Sequence, residues 1–234
     1  MEYTKYPRTM NFPWSNSTSS DDVWWEDSSA LDGKEVVMTE KIDGECTTIY
    51  PDGHVHARSI DTNHHASRSW VKSLAAGISY RMPKGLRICG ENVFAWHSIF
   101  YADLSNYFFV YGMYDENNRC LSWSDTETWC AELALHTVPV IWRGIWDEDH
   151  VKSLWQGEGA FPTFASKIDP ADGQPTYPKD FEPCDAEGYV VRPTNSFPYD
   201  QFKERCAKFV RPNHVQTASN WMTRSVIRNL LKSD

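Results

Sequence analysis

A lysine surrounded by acidic residues lies between two apolar runs in the first quarter of the chain. The stretch Thr39-Glu40-Lys41-Ile42-Asp43-Gly44-Glu45 follows Val36-Val37-Met38 and precedes Cys46-Thr47-Thr48-Ile49-Tyr50, so it predicts a short connection between two strands. Gly44 would let the chain turn and let a ligand approach the backbone. The pattern Lys-x-Asp-Gly is typical of lysines that attack the α-phosphate of a nucleoside triphosphate. The alternative is an exposed lysine in an Asp-Gly turn.

Further short motifs with charged or aromatic residues follow in order along the chain. They are Arg58-Ser59, Gly90-Glu91, the strand from Phe108 to Met113, Glu187-Gly188-Tyr189-Val190-Val191-Arg192 and Ala207-Lys208-Phe209-Val210-Arg211. Glu91 stands where an apolar core residue would normally continue a strand, and Glu187 and Arg192 bracket an apolar run. Charged side chains at such positions are candidates for ligand binding.

This ordered set of motifs resembles the covalent nucleotidyltransferase superfamily of polynucleotide ligases and RNA-capping enzymes. It is most similar to ATP-dependent RNA ligases of the RNA ligase 2-like branch, over roughly residues 36–211. The resemblance implies an α+β fold, the nucleotidyltransferase (ATP-grasp-like ligase) fold of antiparallel sheets flanked by helices. It also implies ATP and Mg²⁺ or Mn²⁺ as cofactors, and RNA ends or a nicked RNA duplex as partners.

The resemblance assigns the chemical steps to three residues. Lys41 would attack the α-phosphate of ATP, form a lysyl-AMP and release pyrophosphate. Lys208, together with Arg192, would neutralise the α-phosphate and then the charge of the transition state. Glu187 would hold the water shell of the metal or the lysine itself. The implied catalytic residues are therefore Lys41, Lys208 and Glu187, with Glu187 also at the metal.

The same resemblance places the nucleotide among the neighbouring motif residues. Arg58 would contact the nucleotide or the incoming phosphate, and Glu91 would accept a hydrogen bond from a ribose hydroxyl. Tyr111 would stack on adenine, with plain core packing as its alternative. The implied nucleotide-binding residues are Glu40, Ile42, Asp43, Gly44, Arg58, Glu91, Tyr111, Arg192 and Lys208.

A lysine must lose its proton before it attacks phosphorus, and the pKa of a free lysine is about 10.4. The acidic neighbours Glu40, Asp43 and Glu45 favour the charged form of Lys41. Positive charge from a nearby lysine or arginine and from a metal ion on the phosphates would oppose them. We therefore expect Lys41 to be protonated without ligand and to be activated by metal-bound ATP.

Three positions depart from the pattern of the family. Cys46 stands two residues after the motif glycine, where many RNA ligases have asparagine. Val210 replaces the second lysine of a Lys-x-Lys pair, and Arg211 is one step out of register. Arg192 stands where some relatives carry lysine. The first two departures are compatible with a catalytically weak module that binds nucleotides or RNA ends.

The charge, the cysteine content and the apolar segments of the chain indicate which class of protein it belongs to. The chain has 234 residues and a net charge of −9, which argues against bulk affinity for nucleic acid. Residues 192–234 carry eight basic and three acidic side chains, a net charge of +5, so the remainder carries −14.

Six scattered cysteines without a Cys-x-x-Cys pair predict reduced thiols. No signal segment and no membrane span is visible, so we expect a cytoplasmic protein.

Apolar periodicity predicts the secondary structure. The predicted strands are 36–41, 45–50, 54–59, 86–94, 107–114, 137–142, 187–192 and 206–211, and the predicted helices are 67–80, 124–135, 147–155 and 214–231. A capping box, Ser124-x-x-Glu127, would open the second helix. His54, His56 and Arg58 share one face of their strand, as polar residues that face solvent or ligand or, alternatively, as a metal site.

We predict an adenylyltransferase domain over 1–211, with 1–35 as an extension packed on it, and a short helical segment over 212–234 without an OB-fold domain. The predicted function is ATP-dependent joining of 5′-phosphate and 3′-hydroxyl RNA ends. An accessory RNA-binding partner is a further expectation. A DNA-nick ligase, a guanylyltransferase-like enzyme and the weak RNA-end-binding module are the alternatives.

Overall fold

Two large sheets form the framework of the computed structural model, which describes residues 2–16, 22–61, 64–165, 182–212 and 225–232. The strands are β1 (Met10–Asn11), β2 (Glu35–Lys41), β3 (Glu45–Ile49), β4 (Val55–Ala57), β5 (Arg87–Asn92), β6 (Ile99–Tyr101), β7 (Phe108–Tyr114), β8 (Arg119–Cys120), β9 (His136–Thr137), β10 (Val140–Ile145), β11 (Thr163–Ala165), β12 (Glu182–Pro183), β13 (Gly188–Pro193), β14 (Phe197–Pro198) and β15 (Ala207–Val210). The α-helices are α1 (Ser69–Ile78), α2 (Trp123–Leu133) and α3 (Glu148–Leu154).

The strands pair mainly in antiparallel fashion. The first sheet has the order β1-β15-β13-β2-β10, and the second has the order β14-β8-β7-β5-β3-β4, with β9 beside β7. A small third sheet has the order β12-β11-β6. Only the β1–β15 and β7–β9 pairs among these strands are parallel. The predicted α+β fold of antiparallel sheets with flanking helices is confirmed.

Strand β2 is apolar on both faces because it lies inside the molecule between β13 and β10. Val36 and Met38 point into a core that contains Phe12 and Tyr189. Val37 points to the opposite face, into a second core. A strand that is buried on both faces has a continuous apolar run in its sequence, as β2 does. The central position of β2 therefore holds Lys41, its last residue, in a fixed place.

Residues 42–44 carry the chain from the first sheet to the second. Strand β2 ends at Lys41 and pairs with β13 and β10, whereas β3 begins at Glu45 and pairs with β4 and β5. The predicted short connection between two strands is confirmed. Lys41 consequently lies where the two sheets meet.

The helices form near their predicted positions, with one change of cap. Helix α1 is shorter than predicted, because the turns at 66–68 and 79–81 are 3₁₀. Helix α2 begins two residues earlier than its predicted capping box. Ser122 accepts a hydrogen bond from the backbone N–H of Asp125 at 3.1 Å and is the N-cap. The same spacing of serine and acid occurs two residues earlier in the chain, so Ser122 and Asp125 replace Ser124 and Glu127.

The predicted C-terminal helix over 214–231 is wrong for the described residues 225–232, which run extended. Residues 213–224 lie outside the described residues. The backbone of 225–232 bonds to the segment 94–104, for example through the N–H of Leu104 and the carbonyl of Leu230 at 2.9 Å. The buried amide of Asn229 accepts from the N–H of Tyr101 and donates to the carbonyl of Val93. These long-range hydrogen bonds satisfy the backbone that a helix would have satisfied locally.

The predicted N-terminal extension contributes to the core. Strand β1 pairs with β15 at the edge of the first sheet, and the ring of Phe12 is fully buried beside Trp14 and Trp146. The division into residues 1–211 and 212–234 stays a prediction. Every helix within the described ranges is too short or too polar to cross a lipid bilayer.

Candidate functional site

A cavity of about 580 Å³ lies between the two large sheets. Ten of the eleven predicted site residues line it: Glu40, Lys41, Ile42, Gly44, Arg58, Glu91, Tyr111, Glu187, Arg192 and Lys208. They come from β2, β13 and β15 on one side and from β5, β7 and the end of β4 on the other. Residues that are far apart in the sequence therefore surround one space large enough for a nucleotide.

Lys41 forms an ion pair with Glu187 in this cavity. The antiparallel register sets Gly188 opposite Lys41, which places Glu187 beside the lysine, and Nζ donates to Oε2 of Glu187 at 2.7 Å. Burial disfavours the ammonium, but Glu187 and then Glu91 outweigh it and raise the pKa of Lys41 above its usual value. The structure thus agrees with a protonated lysine, held mainly by acids from other strands.

Glu91 faces the same lysine from the second sheet. It lies on β5, opposite Cys46 of β3, and is partly buried. Burial raises the pKa of the Glu91 carboxyl to about 8, and the charges of Glu187 and Asp43 act in the same direction, against the lowering effect of Lys41. A carboxyl in this state can exchange a proton near neutral pH, so its charge depends on what occupies the cavity.

Lys208 projects into the cavity from β15. Its Nζ lies 3.4 Å from Oδ1 of Asp22, a residue of the N-terminal extension that also lines the cavity. Burial, followed by the charge of Lys41, lowers the pKa of Lys208. Two cations therefore share the site, and each is held by a carboxylate from another part of the chain.

Asp43 is the predicted nucleotide-binding residue that the cavity lining does not include. Its Oδ2 accepts hydrogen bonds from the backbone N–H groups of Ser98 and Ile99, both at 2.7 Å, and its own N–H donates to the hydroxyl of Tyr101 at 2.8 Å. The predicted contact of Asp43 with the nucleotide stays a prediction. The carboxylate of Asp43 is occupied in anchoring the turn after Lys41, because these backbone donors lie beside it.

Gly44 lines the cavity, and packing against β5 gives a further reason for glycine at this position. A Cβ at this position would lie 2.7 Å from the carbonyl oxygen of Asn92 and 2.8 Å from Cγ1 of Val93. The end of β5 therefore approaches the backbone so closely that only glycine fits.

Glu40 lines the cavity, and its carboxylate bonds to the segment that follows α3. Its Oε2 accepts from the N–H of Ala160 at 2.7 Å, and its buried Oε1 has no hydrogen-bond partner among the described residues. Burial raises the pKa of Glu40 to about 7, although the hydrogen bond from Ala160 opposes this.

We expect the substitution Glu40→Gln to stabilise the protein at alkaline pH. Because the pKa of Glu40 in the folded state, about 7, exceeds its ordinary value of 4.5, its stabilising contribution is complete below pH 4.5 and is lost as pH rises through 7. The neutral variant avoids this loss, which is about 3 kcal/mol. Urea unfolding at pH 5 and pH 8.5 should show the gain at pH 8.5 only.

Glu127→Gln, on the exposed side of α2, is the matched control for removal of one negative charge. An equal change in unfolding free energy at both pH values would contradict the assignment of a buried, reluctantly ionised carboxyl to Glu40.

Tyr111 lines the cavity, and its ring also packs against other residues of the wall. Its hydroxyl donates to Sγ of Cys46 at 2.9 Å. Its ring lies 4.7 Å from the ring of Tyr6, a residue of the N-terminal extension. The unexpected Cys46 thus has a hydrogen-bond partner inside the site, and the ring of Tyr111 is in contact with the ring of Tyr6.

Arg192 lies in the wall, with its guanidinium occupied by backbone carbonyls. It is 5% exposed and donates to the carbonyl oxygens of Leu121 at 2.6 Å and Pro193 at 3.2 Å. The rings of Trp123 and Phe197 lie 5.8 and 5.3 Å from its charged carbon. With a longer contact of 3.5 Å to the carbonyl of Tyr111, three of its five N–H groups have partners, so the predicted contact with the α-phosphate stays a prediction. Arg58 is exposed and lines the cavity.

His54, His56 and Arg58, which the sequence predicts on one polar strand face, do not share one environment in the structure. His56 is buried and bonds to the hydroxyl of Tyr50 at 3.2 Å, whereas Arg58 follows the end of β4 and lines the cavity. Within the described residues no group of three or more metal-ligating side chains comes together.

The N-terminal residues Tyr6, Arg8 and Asp22 were not expected to line the cavity. They lie outside the ordered motifs, and no residue spacing in the sequence connects them to Lys41 or Lys208. Their position follows from the pairing of β1 with β15, which is a long-range contact.

Comparison with known proteins gave one family match and several similar structures. The model of the family described as RNA ligase matches residues 34–210. A Naegleria gruberi RNA ligase mutant solved with ATP and Mn has a TM-score of 0.50 and 14% identity, with 78% of this chain and 51% of that chain covered. An archaeal ATP-dependent RNA ligase has a TM-score of 0.50 and 14% identity, with 88% and 48% covered.

At this level of identity the similar structures indicate the fold alone, and the chain spans about half their length. The comparison with curated proteins found no match.

Proposed function

Because this chain belongs to the RNA ligase family, we propose that it is an ATP-dependent RNA ligase that joins 5′-phosphate and 3′-hydroxyl RNA ends. One observation carries the proposal: Lys41, Glu91, Glu187 and Lys208, from both sheets, line a single cavity. The Naegleria structures with ATP and Mn, and with AMP and Mn, support ATP and a divalent metal as cofactors.

In the first step, Nζ of Lys41 would form a bond to the α-phosphorus of ATP. The bond between that phosphorus and the oxygen of the β-phosphate breaks, and pyrophosphate leaves. The ammonium must first give up its proton, which Glu187 and Glu91 resist in the free protein because they raise the pKa of Lys41. Lys208 supplies opposing positive charge and stabilises the negative charge that develops on the phosphate.

The residues present fit a divalent metal that is held mainly by the nucleotide. Glu187 is a carboxylate in the cavity beside Lys41, and Mg²⁺ or Mn²⁺ needs few protein ligands when phosphates and water complete its shell. When bound there, the metal supplies positive charge next to the phosphates and the lysine.

The second and third steps would use the same cavity. An oxygen of the RNA 5′-phosphate attacks the α-phosphorus of the lysyl-AMP, the phosphorus–nitrogen bond breaks, and the amine of Lys41 is released. The 3′-hydroxyl of the other RNA end then attacks the 5′-phosphorus, and AMP leaves. Arg58, which is exposed and lines the cavity, would contact the RNA phosphate. An accessory partner that helps the acidic chain to bind RNA stays a prediction.

Incubation of the protein with α-labelled ATP and Mg²⁺ tests the proposal. We expect a covalent label that maps to Lys41 by peptide mass spectrometry, and sealing of 5′-phosphorylated RNA in a panel of nicked, single-stranded and DNA substrates. Labelling with GTP instead of ATP would replace the proposal by a guanylyltransferase, and sealing of DNA only would replace it by a DNA ligase. If neither nucleotide labels the protein, the remaining interpretation is a module that binds RNA ends without catalysis.

A further inference from the structure

A segment outside the family match crosses between the two large sheets. We call residues 3–12 the N-terminal strap. At the second sheet, the hydroxyl of Tyr3 donates to Asp52 at 3.0 Å, and the N–H of Thr4 donates to the hydroxyl of Tyr50 at 2.8 Å. The carbonyl of Lys5 accepts from the hydroxyl of Tyr199 at 2.7 Å. The hydroxyl of Tyr50 also donates to the carbonyl of Thr4 at 3.1 Å, so four hydrogen bonds hold the first part of the strap to the second sheet and the turn beside it.

The other end of the strap is fixed to the first sheet. Strand β1 sets Asn11 opposite Lys208, and the N–H of Phe12 donates to the carbonyl of Lys208 at 2.9 Å. The buried ring of Phe12 stacks on Trp14 at 4.4 Å. The strap consequently spans the cleft between the sheets and is tied directly to the strand that carries Lys208.

The middle of the strap, residues 6–9, lines the nucleotide cavity. The ring of Tyr6 lies 4.7 Å from the ring of Tyr111 at an angle of 58°, and 5.1 Å from the ring of Phe202. Aromatic rings at this separation are in direct contact, so no base fits between Tyr6 and Tyr111. Tyr6 packs against Tyr111, so a base must use a part of the Tyr111 ring that Tyr6 does not contact.

We propose that the N-terminal strap completes the adenine pocket and that Tyr6 is a positioning residue that fixes the ring of Tyr111 for stacking on the base. This inference rests on the proposed function, because it concerns the nucleotide of the same site. Tyr6 also packs against the buried ring of Phe202, and this contact holds Tyr6 in position. Strap and nucleotide then stabilise each other, because the strap spans the two sheets between which the nucleotide binds.

The substitution Tyr6→Leu tests the inference in the complete chain. It removes the ring that supports Tyr111, so we expect the ATP concentration for half-maximal lysyl-AMP formation to rise about tenfold. The maximal rate should change by less than about threefold, because no group that touches the phosphates is altered. Preference for ATP over GTP should fall. Tyr6→Phe, which keeps the ring, should behave like the wild type.

Tyr80→Leu is the control for loss of a tyrosine ring, since Tyr80 is 81% exposed after α1. An unchanged or lower ATP requirement in Tyr6→Leu would overturn the inference, and the lower value would mean that Tyr6 occupies the place of the base. A wild type that takes no label would refute the proposed function instead.

A second measurement needs no variant and applies if Tyr6→Leu does not fold. Amide hydrogen exchange of the wild-type protein is compared with and without a non-cleavable ATP analogue and Mg²⁺. We expect slower exchange in residues 3–12 with the analogue. Equal exchange in the strap, alongside protection of the peptide that contains Lys41, would overturn the inference.

Discussion

Replacing Lys41 by alanine is expected to abolish covalent labelling from ATP, with a loss of at least about 10³-fold. Alanine has no amine to attack phosphorus. The variant should also fail to seal ordinary 5′-phosphorylated RNA. It should still seal RNA whose end already carries AMP, because the last step breaks a bond to AMP without a lysyl intermediate. Gel detection of the labelled protein and of the sealed product measures both effects.

The matched control for Lys41→Ala is Lys152→Ala, which removes a lysine from a surface ion pair with Glu148 on α3. Labelling should be unchanged in this control. Retention of label in Lys41→Ala would contradict the assignment of the nucleophile. Loss of sealing with pre-adenylylated RNA would show that Lys41 also acts after its release, most simply through its pair with Glu187.

The substitution Arg192→Leu is expected to lower the free energy of unfolding by about 3 kcal/mol. It leaves the buried carbonyls of Leu121 and Pro193 without their donor, and it removes a side chain packed between aromatic rings. Arg192→Lys should lose less, since one donor remains. Urea unfolding followed by tryptophan fluorescence gives the free energies.

Arg119→Leu, an exposed arginine on β8, is the control for loss of a guanidinium. ATP affinity should be measured in parallel under conditions where Arg192→Leu is folded. Unchanged stability combined with a large loss of ATP binding would contradict a structural role and would support the role in phosphate binding that the sequence predicts for Arg192.

Arg192 shows which features of the site can be predicted from the sequence and which cannot. The motif that contains Arg192 predicts a place in the site, and Arg192 does line the cavity. One of its carbonyl partners, Leu121, lies 71 residues earlier in the chain. A contact over this separation has no local signature, so the motif predicted a phosphate contact but not this carbonyl partner.

The C-terminal segment shows a different limit. Val226, Ile227, Leu230 and Leu231 fit one face of a helix, but apolar pairs at this spacing are also compatible with an extended segment. Hydrogen bonds to residues 94–104 and the buried amide of Asn229 select the extended form in the described part. Local periodicity cannot choose between these forms when the competing hydrogen bonds are long-range.

The order and spacing of the motifs are local properties of the sequence, and the family resemblance that these motifs carry predicted the α+β class and Lys41 as the candidate nucleophile. Only the tertiary structure decided that Glu187, 146 residues away, is the ion-pair partner of Lys41, and that Asp22 lies beside Lys208. It also decided the directions of the pKa shifts. Electrostatic effects depend on distance and burial in space, and neither can be read from separation along the chain.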